Sequence, residues 1–200
     1  MIEAALDLGF NSLGFSGHAP TAQATDWELS KAKIEAYKKE ILMLSEEYSD
    51  RIKIYLGLEL DRYSEGLYDP SGLAYTIGSA HMAKKDGVWY DFDHNYEEAK
   101  STIDGLFGGD AISYARSYYE TLIDTAYSLD FDIVGHFDLL TKFSEKHPEL
   151  IPTDAKEYKS IALEALRAIR EKRKYSRSTR ALYRAATGQP PIPHLLYLTK

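Results

Sequence analysis

Apolar and polar positions along this chain repeat on two periods. In IEAALDLG, residues 2–9, apolar side chains recur at helical spacing and the run stops at Gly9, a residue suited to closing a helix. The same spacing from about Asp26 to Ser49 predicts a long amphipathic helix, with Thr25 or Asp26 as its cap and Glu28 in its first turn. It returns over residues 95–106, over about 110–129, and in a last helix opened by Thr153 and Asp154 and running to about Lys172, where Glu157 is placed for a capping box. Between the helices lie short, nearly continuous apolar runs: SLGFSGH, RIKIYLGLEL, AYTIGSAH and FDIVGHFDLL. Their length and composition predict buried strands. KKDGVWYDFDH sets Asp86-Gly87 between two extended segments and predicts a hairpin.

Apolar strands alternating with amphipathic helices predict an α/β architecture, with parallel strands and outer helices. Ligands in such folds gather at the carboxyl ends of the strands. There each apolar run carries a glycine followed by a side chain that can bind a metal: His18, Glu59, His81 and His136. The glycine lets the chain turn or approach closely. A single histidine on an apolar strand is most simply a satisfied core residue. Three at one place in a repeated pattern argue instead for convergence. Three imidazoles and a carboxylate suit Zn, Mn or Fe. His94, His147 and His194 stand in loop-like contexts and read as surface residues.

Composition narrows the class. Two hundred residues, 44% hydrophobic and 28% charged, suffice for one globular domain. The absence of cysteine excludes disulfides and thiolate chemistry and fits a reducing compartment. No apolar run approaches the roughly 20 residues of a membrane helix, and the amino terminus carries acids where a secretion signal carries lysines. The expectation is a cytoplasmic protein with no membrane partner. A net charge of −7 argues against nucleic acid as the main partner. The charge is uneven. Before Arg173 there are 18 basic and 31 acidic residues; from Arg173 onward there are six basic and none acidic. One reading of the tail is a basic nucleic-acid arm. The preferred one is a one-base frameshift near codon 173: a permitted back-translation, read in the shifted frame, gives IFEVNTGALSRGYRTAPYP.

GFSGHAP, GLELDR, IGSAH and DIVGHFDLL, in this order and spacing, resemble the polymerase-and-histidinol-phosphatase (PHP) superfamily, and within it the histidinol-phosphate phosphatases of histidine biosynthesis. The resemblance covers roughly residues 2–172, leaving 173–200 as a basic tail foreign to the family. It implies a distorted (β/α)7 barrel holding up to three divalent metals at the strand ends. By resemblance Glu59 bridges two metals, His81 and His136 complete the second metal's shell, and His18 serves the third. Asp61 and Asp138, two residues beyond ligands, read either as partners behind the ligands or, more simply, as loop acids. Arg116 in SYARSYYETL is the candidate for gripping the phosphate, with a solvated helix arginine as its plain alternative. Lys84 and Lys85 read as hairpin flanks. The expected chemistry is hydrolysis of a small phosphomonoester by a metal-activated hydroxide, with no protein side chain named as the nucleophile.

Two family motifs are missing. His-x-His should precede the first helix, and Asp-x-His should follow residue 172. The barrel is therefore expected to be incomplete, with one metal bound in place of three. Alternatives are a different PHP phosphoesterase and a non-catalytic remnant that binds one metal or none. The oligomeric state is open.

Overall fold

The apolar runs become strands and the amphipathic runs become helices, in the order their periods predict. A computed structural model describes residues 1–23 and 25–187, with side chains as far as residue 172. The side chains of the basic tail, and all of His194, lie outside the described residues. The chain divides into two units: Met1–Ile77 with Phe131–Ile133, and Gly78–Asp130 with Val134–Ala181.

The first unit opens with α1 (Ile2–Asp7), β1 (Ser12–His18), α2 (Lys31–Glu47) and β2 (Lys53–Asp61). β1 and β2 run parallel in one register, from Ser12 opposite Lys53 to His18 opposite Glu59. Parallel strands need a crossover between them, and α2 supplies it. The buried faces meet in a cluster of Ile2, Ala5, Leu13, Ile41, Ile52, Ile54 and Leu56. β3 (Tyr75–Ser79) and the two-residue β6 (Ile133–Val134) complete a sheet of order β1-β2-β3-β6. The amide of Asp132 donates to the carbonyl of Thr76 and that of Gly135 to Gly78, so β3 and β6 ascend together. Gly57 is required by packing: a Cβ there would lie 2.4 Å from Cζ of the buried Tyr75 ring.

The second unit contains the expected hairpin, β4 (Met82–Lys85) against β5 (Val88–Asp91). Asp86 and Gly87 both take positive φ, 51° and 84°, as the tight turn of a twisted hairpin requires. Two capped helices follow. Asn95 accepts from the Glu98 amide at the start of α3 (Tyr96–Leu106), and Asp110 accepts from Ile112 and Ser113 at the start of α4 (Ala111–Ser128). The core of this unit is aromatic: Tyr90, Phe92, Phe107, Tyr114, Tyr118 and Tyr119 form a chain of edge-on and tilted contacts. α5 (Lys156–Thr187) adds Tyr158, whose hydroxyl meets that of Tyr119 at 2.9 Å.

Three elements differ in extent from the pattern-based expectation. α2 begins at Lys31, not Asp26, because residues 27–29 are used elsewhere. Glu28 accepts from the amide and hydroxyl of Thr21, and the Leu29 amide donates to the His18 carbonyl. α5 begins at Lys156 because Asp154 sits in a preceding turn and accepts from Lys159, and it runs past Lys172 to Thr187. FDIVGHFDLL yields only two strand residues, since polar Asp132 and then Gly135 flank Ile133 and Val134.

Candidate metal centre

His18 is the last residue of β1 and stands directly opposite Glu59 in the β1–β2 register. Its Nδ1 lies 3.9 Å from Oε2 of Glu59, whose side chain is only 1% exposed against 23% for His18. Backbone bonds fix both residues. The Ala19 amide donates to the Glu59 carbonyl at 2.8 Å, and the Leu29 amide to the His18 carbonyl at 2.9 Å. Trp27 sets its ring edge-on to the imidazole, centroids 5.0 Å apart. A Cβ on residue 17 would come within 2.7 Å of Leu29 Cδ1, so Gly17 is what lets Leu29 close over the strand end. A carboxylate buried this deeply is costly without a cation to compensate it.

In the second unit, His81 follows the end of β3 by two residues and immediately precedes β4. Its carbonyl accepts from the Phe92 amide, and Thr125 on α4 shares its hydroxyl proton between the Thr121 carbonyl at 2.8 Å and the Ser79 carbonyl at 3.3 Å. His136 follows β6 by two residues. Tyr118, also on α4, donates its hydroxyl to the His136 carbonyl at 2.7 Å and accepts from the Leu139 amide at 3.2 Å. Burial pushes the Tyr118 phenol far up, so it remains protonated and able to donate. The two imidazoles meet through Nε2 at 3.0 Å, with the rings nearly perpendicular at 80°. Two nitrogens bound to one ion at about 2.0–2.1 Å each stand about 3 Å apart, so this donor set fits a divalent metal.

The other expected site residues are placed differently. Asp61 is buried at the end of β2 and organises the turn after it. Its carboxylate accepts from the Tyr63 amide, while its own amide donates to the Ser64 hydroxyl. Asp138 is an exposed loop acid whose carbonyl accepts from Thr141. Arg116 is exposed on α4, two positions from the inward-facing Tyr118 and therefore about 200° around the helix from it. Lys84 and Lys85 lie over the rings of Trp89 and Phe107, as hairpin flanks do. His147 stacks on Tyr96.

Two features escaped the sequence reading. Asp91, His94 and Glu98 bring one ligand-type atom each within 4.8 Å of one another. Their spacing of three and then four was the available signal. His94 and Glu98 are exposed, and Glu98 already accepts from Asn95. Burial, and next the charge of Asp93, raise the Asp91 carboxyl. The second feature is the pair of tyrosines, Tyr37 and Tyr118, whose hydroxyls bind backbone beside the candidate ligands. A hydroxyl aimed at backbone leaves no periodic trace.

Comparison with known proteins identifies the family of the chain. The PHP domain family matches residues 1–176. A protein of Deinococcus radiodurans named "Probable histidinol-phosphatase" is 31% identical over 159 residues, covering 74% of this chain. The chain spans 56% of that relative's length. A solved structure from Listeria monocytogenes superposes with a TM-score of 0.69 at 20% identity, over 86% of this chain and 72% of that one. The histidinol phosphate phosphatase of Lactococcus lactis subsp. lactis Il1403, solved with Zn, L-histidinol and phosphate, superposes with a TM-score of 0.55 at 21% identity, over 86% of this chain and 62% of that one. At such identities the structural likeness establishes the α/β fold, while the sequence match extends over most of the chain. Matched by the family model over residues 1–176, this chain belongs to the PHP domain family.

Proposed function

We propose that this chain acts as a metal-dependent phosphomonoester hydrolase of the histidinol-phosphatase type, converting L-histidinol phosphate to histidinol and phosphate in cytoplasmic histidine biosynthesis. The observation that carries the reading is the His81–His136 pair, two imidazole nitrogens 3.0 Å apart just beyond parallel strand ends. The His18–Glu59 pair occupies the matching position on β1 and β2. In this reading His18 and Glu59 are divalent-metal ligands of the first unit, and His81 and His136 are those of the second. Zn is the ion in the Lactococcus lactis enzyme, which also holds L-histidinol and phosphate. Zn, Mn and Fe all suit the donors.

A bound divalent ion would supply positive charge to offset the phosphate oxygens and would acidify a water. The protein's part is to hold the donors. The buried Glu59 carboxylate favours a dication and repels an anion arriving alone, so phosphate binding should require metal. The strand-end backbone bonds keep His18 and Glu59 aligned, and the α4 hydroxyls keep the turns at Ser79 and His136 in place.

The test is to load the full chain with Zn, Mn or Fe, measure binding by calorimetry, and follow phosphate release from L-histidinol phosphate and unrelated phosphomonoesters. Metal-dependent release selective for L-histidinol phosphate is expected. Release without that selectivity would indicate another phosphoester substrate. Metal binding without release would make the chain a binding module, and no metal binding would overturn the reading.

A further inference from the structure

We propose that Tyr37 is a positioning residue for the metal centre: its hydroxyl bridges β1 to β2 one step before His18 and Glu59 and sets the distance between those two side chains. This rests on the metal-centre reading above.

The bridge is visible in two hydrogen bonds. The Gly17 amide donates to the Tyr37 hydroxyl at 3.0 Å, and that hydroxyl donates to the Gly57 carbonyl at 3.0 Å. In the observed register Ser16 stands opposite Gly57, and Gly17 opposite Leu58. A parallel ladder of that register aims the residue 17 amide at the residue 57 carbonyl. The phenol thus joins the two backbone groups that the ladder aligns, at the last step before the ligand pair. His18 is the next residue on β1, and Glu59 lies two beyond Gly57 on β2.

Local sequence makes the insertion feasible. Tyr37 lies on α2, the crossover between the two strands it bridges. A Cβ at residue 17 would crowd Leu29 Cδ1 at 2.7 Å but would only touch Tyr37 Cε2 at 3.5 Å, so the ring already packs directly against the strand at this point. Burial pushes the phenol up to about 12, so at neutral pH it keeps the single proton that the bridge needs. The Ser45 hydroxyl, by contrast, bonds the Ile54 carbonyl alone among the described contacts. The Tyr37 hydroxyl is shared between two strands and ties helix, β1 and β2 at one point.

The test uses the full chain and its Tyr37→Phe variant, which keeps the ring. Zn affinity is measured by calorimetry, the Co(II) absorption spectrum reports ligand geometry, and melting in chelator reports the metal-free fold. Loss of a group that orients metal ligands costs about 10- to 100-fold in affinity, and that loss with an altered Co(II) spectrum is expected. An Ile41→Val core variant in the same helix controls for generic loosening: it should lower the melting temperature and leave affinity unchanged. If Tyr37→Phe does not fold, p-aminophenylalanine at position 37 keeps the ring and a donor but offers Gly17 a poorer acceptor, and an intermediate loss is expected. Wild-type-like affinity and spectrum in the substituted chain would overturn the bridge while leaving the metal centre standing. Absence of Zn and Co(II) binding in the wild-type chain would overturn both.

Discussion

In the first unit, His18 and Glu59 face each other across a parallel ladder seven residues long, and backbone bonds hold both. In the second, β3 has already ended at Ser79 before His81 is reached, and only two strand residues lead to His136. Fully buried aromatic and hydroxyl side chains of α4 do there what the ladder does in the first unit: Tyr118 reaches the His136 carbonyl and Thr125 the Ser79 carbonyl. The first arrangement spreads the constraint over many equivalent bonds. The second concentrates it in a few side chains, so single substitutions should disturb it more. Tyr37 gives the first unit a hydroxyl contact to backbone beside its own ligand pair.

The largest effect should come from Glu59→Gln. Removing the buried charge should lower Zn affinity by about 100-fold or more and abolish metal-dependent phosphate release. The metal-free protein should melt close to the wild-type temperature, because glutamine keeps the size and shape of glutamate and sheds a buried charge. Calorimetry and melting in chelator test both halves; unchanged affinity would remove Glu59 from the metal ligands. Gly57→Ala should act on the fold. Its Cβ would strike the buried Tyr75 ring, and forcing that ring aside costs about 1–3 kcal/mol. Thermal melting in chelator should then fall by several degrees, and an unchanged midpoint would show that Tyr75 gives way freely.

The same contrast explains what the sequence disclosed. Strand-end histidines, Glu59, the Asp86-Gly87 hairpin and the helix periods are local patterns, and the structure reproduces them. The start of α2 was not legible, because Glu28 and Leu29 are claimed by Thr21 and His18 through bonds that no spacing announces. The brevity of β6 was hidden by an apolar run that looks strand-like over its whole length. Arg116 followed the family's need for a phosphate grip. On α4 the buried positions are Tyr114, Ala115, Tyr118, Tyr119 and Leu122, and Arg116 lies outside that set.

Tyr118→Phe should sharpen the contrast. The ring would still pack against Phe92 and Tyr119, but the Leu139 amide would lose its acceptor and the His136 carbonyl its donor. A buried polar group left unpaired costs about 1–3 kcal/mol. Faster amide exchange at Leu139, with unchanged exchange along β1 and β2, is the expected signature. Slowed or unaltered exchange at Leu139 would mean that His136 is held by other contacts. Alkaline titration separates the tyrosines as a class. Burial raises Tyr37 to about 12 from an ordinary value near 10. A folded-state value above the unfolded one stabilises the fold below pH about 10, and that contribution is lost as pH rises through about 12. Tyr37→Phe should therefore flatten part of the fall in stability between those limits, as denaturant melts at stepped pH would show.

Arg116→Ala should have the smallest effect. It tests whether α4 serves the second unit through its inward face alone. Arg116 is exposed and lies about 200° around the helix from Tyr118. An exposed helix substitution by alanine usually changes stability by no more than about 0.5 kcal/mol, and alanine is itself the best helix former. The expected outcome is a melting temperature within a degree or two of wild type, unchanged Zn affinity, and a KM for L-histidinol phosphate within about threefold. A KM rise of tenfold or more, with Zn affinity intact, would give the guanidinium the phosphate-gripping role suggested by the family resemblance. It would also show that the outer face of α4 takes part in substrate binding, so that the division of labour between ladder and aromatic core would no longer account for the second unit.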